Sequence, residues 1–189
     1  MPLGQEPPQL LKQRLFYGGR KFNFEVNRLR LPNRAEGTWE CVRHPGGALA
    51  VPLTTDGNLV MVRQYRFAVM GRLLEFPAGT LELGEAPVDT IRRELQEEAG
   101  YSAATWLPLG NFPLAPGYSD EIIYAFLATD LESVQSPGMD PDEDLEVVLI
   151  TPAQLQKTIL AGEAVDAKSI ASFFLAKPFI DKLGMAAPV

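Results

Sequence analysis

The chain has 189 residues, of which 46% are hydrophobic and 22% are charged, as expected for one globular domain with a substantial core. Its formal net charge of −7 argues against a general nucleic-acid binder, because such proteins need a basic face. One cysteine, Cys41, and one histidine, His44, exclude an intramolecular disulfide and a zinc site with several His or Cys ligands, so carboxylates must carry any chemistry.

The N-terminal half predicts mainly strands. Residues 1–10 contain three prolines and are expected to form a flexible tail, followed by a β segment over residues 11–46. Alternating or apolar runs predict strands at residues 22–26, 39–43, 47–53, 59–65 and 73–76. The turn sequence Thr-Thr-Asp-Gly-Asn at 54–58 predicts a hairpin that joins the third and fourth of these strands.

The C-terminal half predicts helices as well as strands. Pro87 suits the first turn of a helix, and Gly100 suits the left-handed position after its end. Strands are predicted at residues 106–112, 122–129 and 145–150, then helices at 151–162 and after Asp166, with a C-terminal tail at 181–189. This order favours a mixed sheet between helical layers. Without a signal peptide or an apolar run of about 20 residues, we expect a soluble cytoplasmic protein with no membrane contact.

Three carboxylates, Glu94, Glu97 and Glu98, lie at neighbouring positions on one side of the helix after Pro87. Each like-charged pair costs about 0.2–0.5 kcal/mol, and the helix dipole disfavours anions near the C-terminus. A bound cation would offset this cost, although a solvated charged face is the alternative. Carboxylates without His or Cys suit Mg²⁺ or Mn²⁺.

The residues around the patch form a longer pattern, G-x5-E-x7-R-E-L-x-E-E-x-G-Y, which runs from Gly79 to Tyr101. This spacing resembles the signature of the Nudix hydrolases, which use divalent metals to cleave nucleoside diphosphates linked to another group. The resemblance implies an α/β/α sandwich on a mixed β-sheet over residues 47–180, with the N-terminal antiparallel β segment used in dimerisation. It does not imply nucleic-acid binding.

Position by position, the resemblance implies roles within the patch. Glu94 and Glu98 would be the principal metal ligands, Glu97 a further ligand or the catalytic base, and Ala78 would lend its carbonyl oxygen. The metal would be Mg²⁺, with Mn²⁺ possible. The structural positions of the signature are Gly79, Glu85, Arg93 and Gly100.

A second resemblance concerns the substrate. Pro116 lies sixteen residues after Gly100 in Ala-Pro-Gly-Tyr-Ser-Asp-Glu at 115–121, similar to a loop of the ADP-ribose pyrophosphatase subfamily, from which Ala115 departs. Further similar segments are residues 39–40, 62–66, 74–79 and 164–170. The implied reaction splits ADP-ribose into AMP and ribose 5-phosphate. The alternatives are another nucleotide sugar, such as GDP-mannose or ADP-glucose, and a non-catalytic ADP-ribose sensor.

The subfamily resemblance also implies substrate contacts and a homodimer. Trp39 would stack on adenine, unless it is a buried strand tryptophan, and Arg66 would pair with a phosphate oxygen. The other predicted contacts are Glu40, Glu75, Thr80, Pro116, Gly117, Tyr118, Ser119 and Glu121. The resemblance also implies a catalytic base in the acidic segment 136–144, where alignment to the next strand favours Glu143. Asp142, Asp144 and Glu97 are competitors, and a solvated loop is the alternative.

Overall fold

The computed structural model describes residues 6–134 and 144–185, so two candidates for the base, Asp142 and Glu143, lie outside the described residues. The described chain divides into two compact units, one from Met1–Pro45 with Pro113–Ile122 and one from Gly46–Phe112 with Ile123–Val189. Residues 113–122 group with the N-terminal strands in this division. The domain bounds expected from the sequence, 11–46 and 47–180, stay predictions.

The first unit contains an antiparallel sheet of strands β1 (Gln9–Gly18), β2 (Asn23–Arg30) and β3 (Glu36–Arg43), in that order. The predicted β segment is therefore present, and β1 begins inside the predicted tail. The register of β1 against β2 shifts twice, once between Leu10 and Lys12 and again between Gln13 and Leu15. Such bulges break the two-residue alternation, which explains why the sequence does not reveal β1 as a strand.

The remaining strands are β4 (Gly47–Pro52), β5 (Leu59–Arg66), β6 (Gly71–Glu75), β7 (Ala78–Thr80), β8 (Tyr101–Pro113), β9 (Ile122–Ser133) and β10 (Leu145–Ile150). One sheet has the order β7-β4-β9-β8 and is mixed, because β4 runs antiparallel to β7 and parallel to β9. The other is antiparallel with the order β10-β5-β6. The prediction of a mixed sheet is confirmed.

The hairpin predicted at 54–58 is only half right. The turn forms, with Thr54 N donating to Asn58 O at 2.8 Å and Gly57 N donating to Thr54 O at 2.9 Å. A single bridge, Leu53 to Leu59, follows it, and then β4 and β5 enter different sheets. Turn chemistry is local, whereas β4 takes its partners, β7 and β9, from distant parts of the chain.

The helices are α1 (Pro87–Ala99), α2 (Pro152–Leu160) and α3 (Ala167–Met185), which continues into the predicted C-terminal tail. Ile91 and Leu95 of α1 are fully buried against Ala48 and Ala50 of β4. Helix α3 also packs on β4, so this strand contacts two helices, α1 and α3. Among the described residues, no helix is both long and apolar enough to cross a membrane.

Candidate active site

Two carboxylates of α1 converge on the backbone of β7. Glu98 is only 5% exposed, and its Oε2 accepts a hydrogen bond of 3.0 Å from the backbone N–H of Ala78. Glu94 lies directly over Gly79, where an added Cβ would be 2.1 Å from Oε1 of Glu94. The buried side chains of Ile91 and Leu95 fix the rotation of α1, so the helix presents Glu94 and Glu98 to this strand.

Gly79 has a steric role at this site. The structure places it opposite Ala48 in the ladder between β4 and β7. The position requires a residue without a side chain because the Cγ and Cδ of Glu94 occupy the space that a Cβ would need, both at 2.3 Å. The absence of a side chain at Gly79 therefore leaves room for Glu94 to lie against β7.

Arg93 forms ion pairs with the three carboxylates around it. Its Nη1 donates to Oε1 of Glu94 at 2.9 Å and to Oε2 of Glu97 at 3.1 Å, and its Nη2 lies 3.6 Å from Oε2 of Glu85. Burial acts to lower the pKa of Arg93, but attraction to Glu94 and the other two carboxylates outweighs it, so the pKa is raised. The hydrogen bond of 2.7 Å from Thr90 Oγ1 is the main cause of the lowered pKa of Glu85.

The donor set suits a hard divalent cation in its chemistry. Carboxylate oxygens are the preferred ligands of Mg²⁺ and Mn²⁺, and Glu94 and Glu98 already meet at Ala78 and Gly79. Within residues 6–134 and 144–185, however, no three His, Cys, Asp or Glu side chains stand close enough together to hold an ion. A site with three carboxylates would require one side chain to change its conformation. Glu97 is the natural choice, because it is half-buried and turned toward Arg93.

A buried ion-pair network lies beside this helix. Glu75 of β6 has a side chain only 2% exposed, and it accepts hydrogen bonds from Arg66 Nε at 2.7 Å and from Arg66 Nη2 at 2.8 Å. Lys168 Nζ also contacts Oε2 of Glu75 and pairs with Asp166. Burial acts to raise the pKa of Glu75, but hydrogen bonding by Arg66 and the charge of Lys168 prevail and lower it.

Arg66 and Glu75 are both predicted to contact the substrate, but this network gives them different roles. Both oxygens of Glu75 are taken by Arg66 and Lys168, so the structure makes Glu75 the support of Arg66. The Arg66 side chain is 41% exposed and can still reach a ligand. No role is predicted for Lys168, which appears in the sequence analysis only as part of the similar segment 164–170. Its contact with Glu75 cannot be inferred from neighbouring residues because Glu75 is 93 positions away.

The loop predicted to contact the substrate is held on β3 within the first unit. Val42 N donates to Tyr118 O at 2.7 Å, and Asp120 N donates to Val42 O at 3.2 Å. Inside the loop, Ser119 N donates to Ala115 O at 2.9 Å, and Glu121 N donates to Ser119 Oγ at 3.2 Å. These bonds leave the loop tip, Pro116, Gly117 and Tyr118, exposed to solvent.

The remaining predicted contacts are accessible to different degrees. Trp39 of β3 is 36% exposed, so it is not a buried strand tryptophan, and its ring covers Gly37, where a Cβ would lie 2.8 Å from the indole. Glu40 is exposed, and Thr80 of β7 is half-buried opposite Gly47. Contact of these residues with a substrate stays a prediction.

Asp144, one of the candidates for the catalytic base, already forms an ion pair. Asp144 receives two hydrogen bonds from Arg72 Nη2, at 2.8 Å and 2.6 Å, and its backbone carbonyl accepts from Tyr65 N at 2.9 Å. Asp144 therefore fastens the start of β10 to the hairpin of β5 and β6. Glu97 is likewise paired, with Arg93, and Glu143 keeps its place as a sequence-based candidate.

The chain is similar to several known proteins. A family model for the NUDIX domain matches residues 43–173. An ADP-ribose pyrophosphatase of Bacillus subtilis (strain 168) is 35% identical over 165 residues, covering 87% of this chain and 89% of that protein. A methanol dehydrogenase activator of Bacillus methanolicus is 34% identical over 161 residues, covering 85% and 87%. The crystal structure of an ADP compounds hydrolase matches the fold with a TM-score of 0.80 at 23% identity, covering 96% of this chain and 98% of that one.

Proposed function

The chain belongs to the Nudix family, and on that premise we propose that it hydrolyses the pyrophosphate bond of ADP-ribose, giving AMP and ribose 5-phosphate. The convergence of Glu94 and Glu98 on the backbone of Ala78 and Gly79 carries the proposal. This convergence provides an anionic site that a divalent metal can share with a pyrophosphate. The similarity to an ADP-ribose pyrophosphatase along most of both chains supports the choice of substrate.

Nudix hydrolases depend on a divalent metal, and we propose Mg²⁺ here, with Mn²⁺ as a substitute. Glu94, Glu97, Glu98 and the carbonyl oxygen of Ala78 would hold it, and when bound it neutralises the pyrophosphate charge and orients water. Arg93 holds Glu94 and Glu97 in place through hydrogen bonds of 2.9 Å and 3.1 Å before the metal arrives. Phosphate binding and proton transfer depend on side chains of the protein.

Two further groups complete the proposed mechanism. The exposed face of Arg66 donates hydrogen bonds to a phosphate oxygen, since Glu75 holds the opposite edge of its guanidinium. A carboxylate takes a proton from the attacking water as the new P–O bond forms and the bridging P–O bond breaks. We propose Glu143 for this proton transfer, with Asp142 and Glu97 as alternatives; the ion pair with Arg72 makes Asp144 a weaker candidate.

Kinetics on a substrate panel test the proposal. Purified protein is assayed with ADP-ribose, ADP-glucose and GDP-mannose, each with Mg²⁺ and with Mn²⁺, and kcat/KM values are compared because specificity is their ratio. We expect ADP-ribose to give the highest value. A higher value for GDP-mannose would reassign the substrate within the same reaction, and tight ADP-ribose binding without turnover would indicate a sensor.

We also propose a cytoplasmic homodimer. β1 exposes apolar side chains, with Leu10 at 58%, Phe16 at 54% and Tyr17 at 68%, more apolar surface than a solvated strand normally shows. Burial of this apolar surface against a second copy of the chain would remove it from water. Sedimentation equilibrium should give about twice the chain mass of 20.8 kDa, and Phe16→Glu should shift it toward the monomer. A wild-type monomer at micromolar concentration would contradict the dimer.

A further inference from the structure

We propose that Lys168 is a positioning residue that fixes, through Glu75, the orientation in which Arg66 presents its guanidinium to an anionic ligand. The inference rests on the proposed function only in naming that ligand as the diphosphate of a nucleotide sugar. Lys168 itself contacts Glu75 and Asp166, and its side chain is 13% exposed, compared with 41% for the side chain of Arg66.

The backbone delivers Lys168 to this place. Leu74 N of β6 donates to Ala164 O at 2.8 Å, and Phe76 N donates to Ser169 Oγ at 2.8 Å. These two bonds lie on either side of Glu75 and fasten the start of α3 to β6. Ser169 N in turn donates to Oδ1 of Asp166 at 3.1 Å, which caps the helix. Lys168 therefore belongs to a rigid part of the fold.

The charges of the network balance only with Lys168 present. Glu75 and Asp166 contribute two negative charges, and Arg66 and Lys168 contribute two positive charges. Oε1 of Glu75 accepts from Arg66, whereas Oε2 accepts from both Arg66 and Lys168, so the plane of the carboxylate is fixed from two sides. Without Lys168, Oε2 of the buried carboxylate keeps Arg66 Nη2 but loses its second donor, and Glu75 can rotate together with the guanidinium that it holds.

Arg66 keeps donors for a ligand. Its Nε and Nη2 bind Glu75, and among residues 6–134 and 144–185 no hydrogen-bond partner is found for its Nη1. Its pKa is raised mainly by the hydrogen bond to Glu75 and further by the charge of Glu98, which indicates that the guanidinium lies near the acidic helix. A fixed guanidinium at this place can bind a phosphate oxygen with defined geometry.

The first test is a change of Lys168 to methionine, which keeps the length of the side chain but removes its charge. We expect KM for ADP-ribose to rise about tenfold and kcat to change by less than about threefold, because a phosphate contact is weakened throughout the reaction. The matched control is Lys177→Met, which removes another lysine of α3 that forms an ion pair, with Asp181 at 2.9 Å. This control should leave both constants unchanged.

A double-mutant cycle separates positioning from other effects. If Lys168 acts through Glu75, Lys168→Met should raise KM by less than about twofold in a Glu75→Gln background. A full tenfold rise in that background would overturn the proposal. Should Lys168→Met fail to fold, Lys168→Gln takes its place in the cycle, since glutamine keeps a hydrogen-bond donor.

An NMR measurement decides the question without turnover. The Nε–H signal of Arg66, assigned by Arg66→Lys, should be protected from solvent exchange in the wild type and lose that protection in Lys168→Met. Loss of thermal stability with an unchanged Arg66 signal and unchanged KM would show a merely structural lysine and refute the proposal. Absence of ADP-ribose turnover in the wild type would refute the proposed function instead, and the NMR result would still decide the role of Lys168.

Discussion

Replacing Gly79 with alanine removes no carboxylate from the chain and should nevertheless disable the site. The new Cβ would lie 2.1 Å from Oε1 of Glu94 and 2.3 Å from its Cγ and Cδ, well under the 3.0 Å that real Cβ contacts essentially never breach. Because Cγ is near the root of the Glu94 side chain, bending its tip cannot relieve the clash. Glu94 must adopt another rotamer and leave β7, which separates it from Glu98.

The magnitudes follow from this displacement. The overpacking typically costs about 1–3 kcal/mol of stability, and less if a rotamer change of Glu94 relieves it. Loss of one preorganised charged group at the reacting centre costs about two orders of magnitude in kcat, or roughly 2.7 kcal/mol of transition-state stabilisation. We therefore expect Gly79→Ala to remain folded, to bind Mn²⁺ at least about tenfold more weakly, and to lose about 99% of its activity.

The assays are Mn²⁺ titration followed by electron paramagnetic resonance, kcat/KM for ADP-ribose, and thermal unfolding. The matched control is Gly71→Ala, whose new Cβ would meet only Val69 O, at an ordinary 3.7 Å, and this variant should resemble the wild type. Adding Glu94→Ala to Gly79→Ala should recover the lost stability without recovering activity. Wild-type Mn²⁺ affinity and turnover in Gly79→Ala would refute the placement of Glu94 as a ligand.

Three further predictions concern single carboxylates. Glu98→Gln should lower kcat by at least about two orders of magnitude in a steady-state assay, whereas near-normal activity would separate the patch from the metal site. Glu143→Gln should slow single-turnover chemistry with ADP-ribose affinity retained, and unchanged rates would return the role of base to the other candidates. Burial opposes ionisation of Glu75, but Arg66 and Lys168 hold its pKa below the usual 4.5. Its stabilising contribution is thus present above pH 4.5 and lost as the pH falls through the folded-state pKa, so the unfolding free energy should decline less steeply there in Glu75→Gln than in the wild type.

The acidic helix is predictable because its determinants are local. Pro87 starts α1 and Gly100 ends it with a φ of 71°, both as the sequence indicates. Helical periodicity places Glu94 and Glu98 on one face, and Arg93 stands within reach of its neighbours by spacing alone. The family signature covers the same short stretch, so it adds chemistry to a local structure that the pattern already defines.

Contacts between distant residues are not predictable in this way. The role of Gly79 depends on Glu94 lying above a strand that exists only because β7 pairs with β4. The support of Arg66 by Glu75 and Lys168 joins β5, β6 and α3, and nothing in the residues near Lys168 indicates a partner 93 positions away. The sequence therefore predicts the placement of the carboxylates on α1 better than the parts of the fold that hold them.

Product analysis tests the central claim most directly. Wild-type protein and Glu98→Gln are incubated with ADP-ribose and Mg²⁺, and the nucleotide and sugar phosphate products are resolved by anion-exchange chromatography over time. The account predicts AMP and ribose 5-phosphate in equal amounts from the wild type, and at least about a hundredfold less from the variant. Absence of AMP with every divalent metal tried would contradict it.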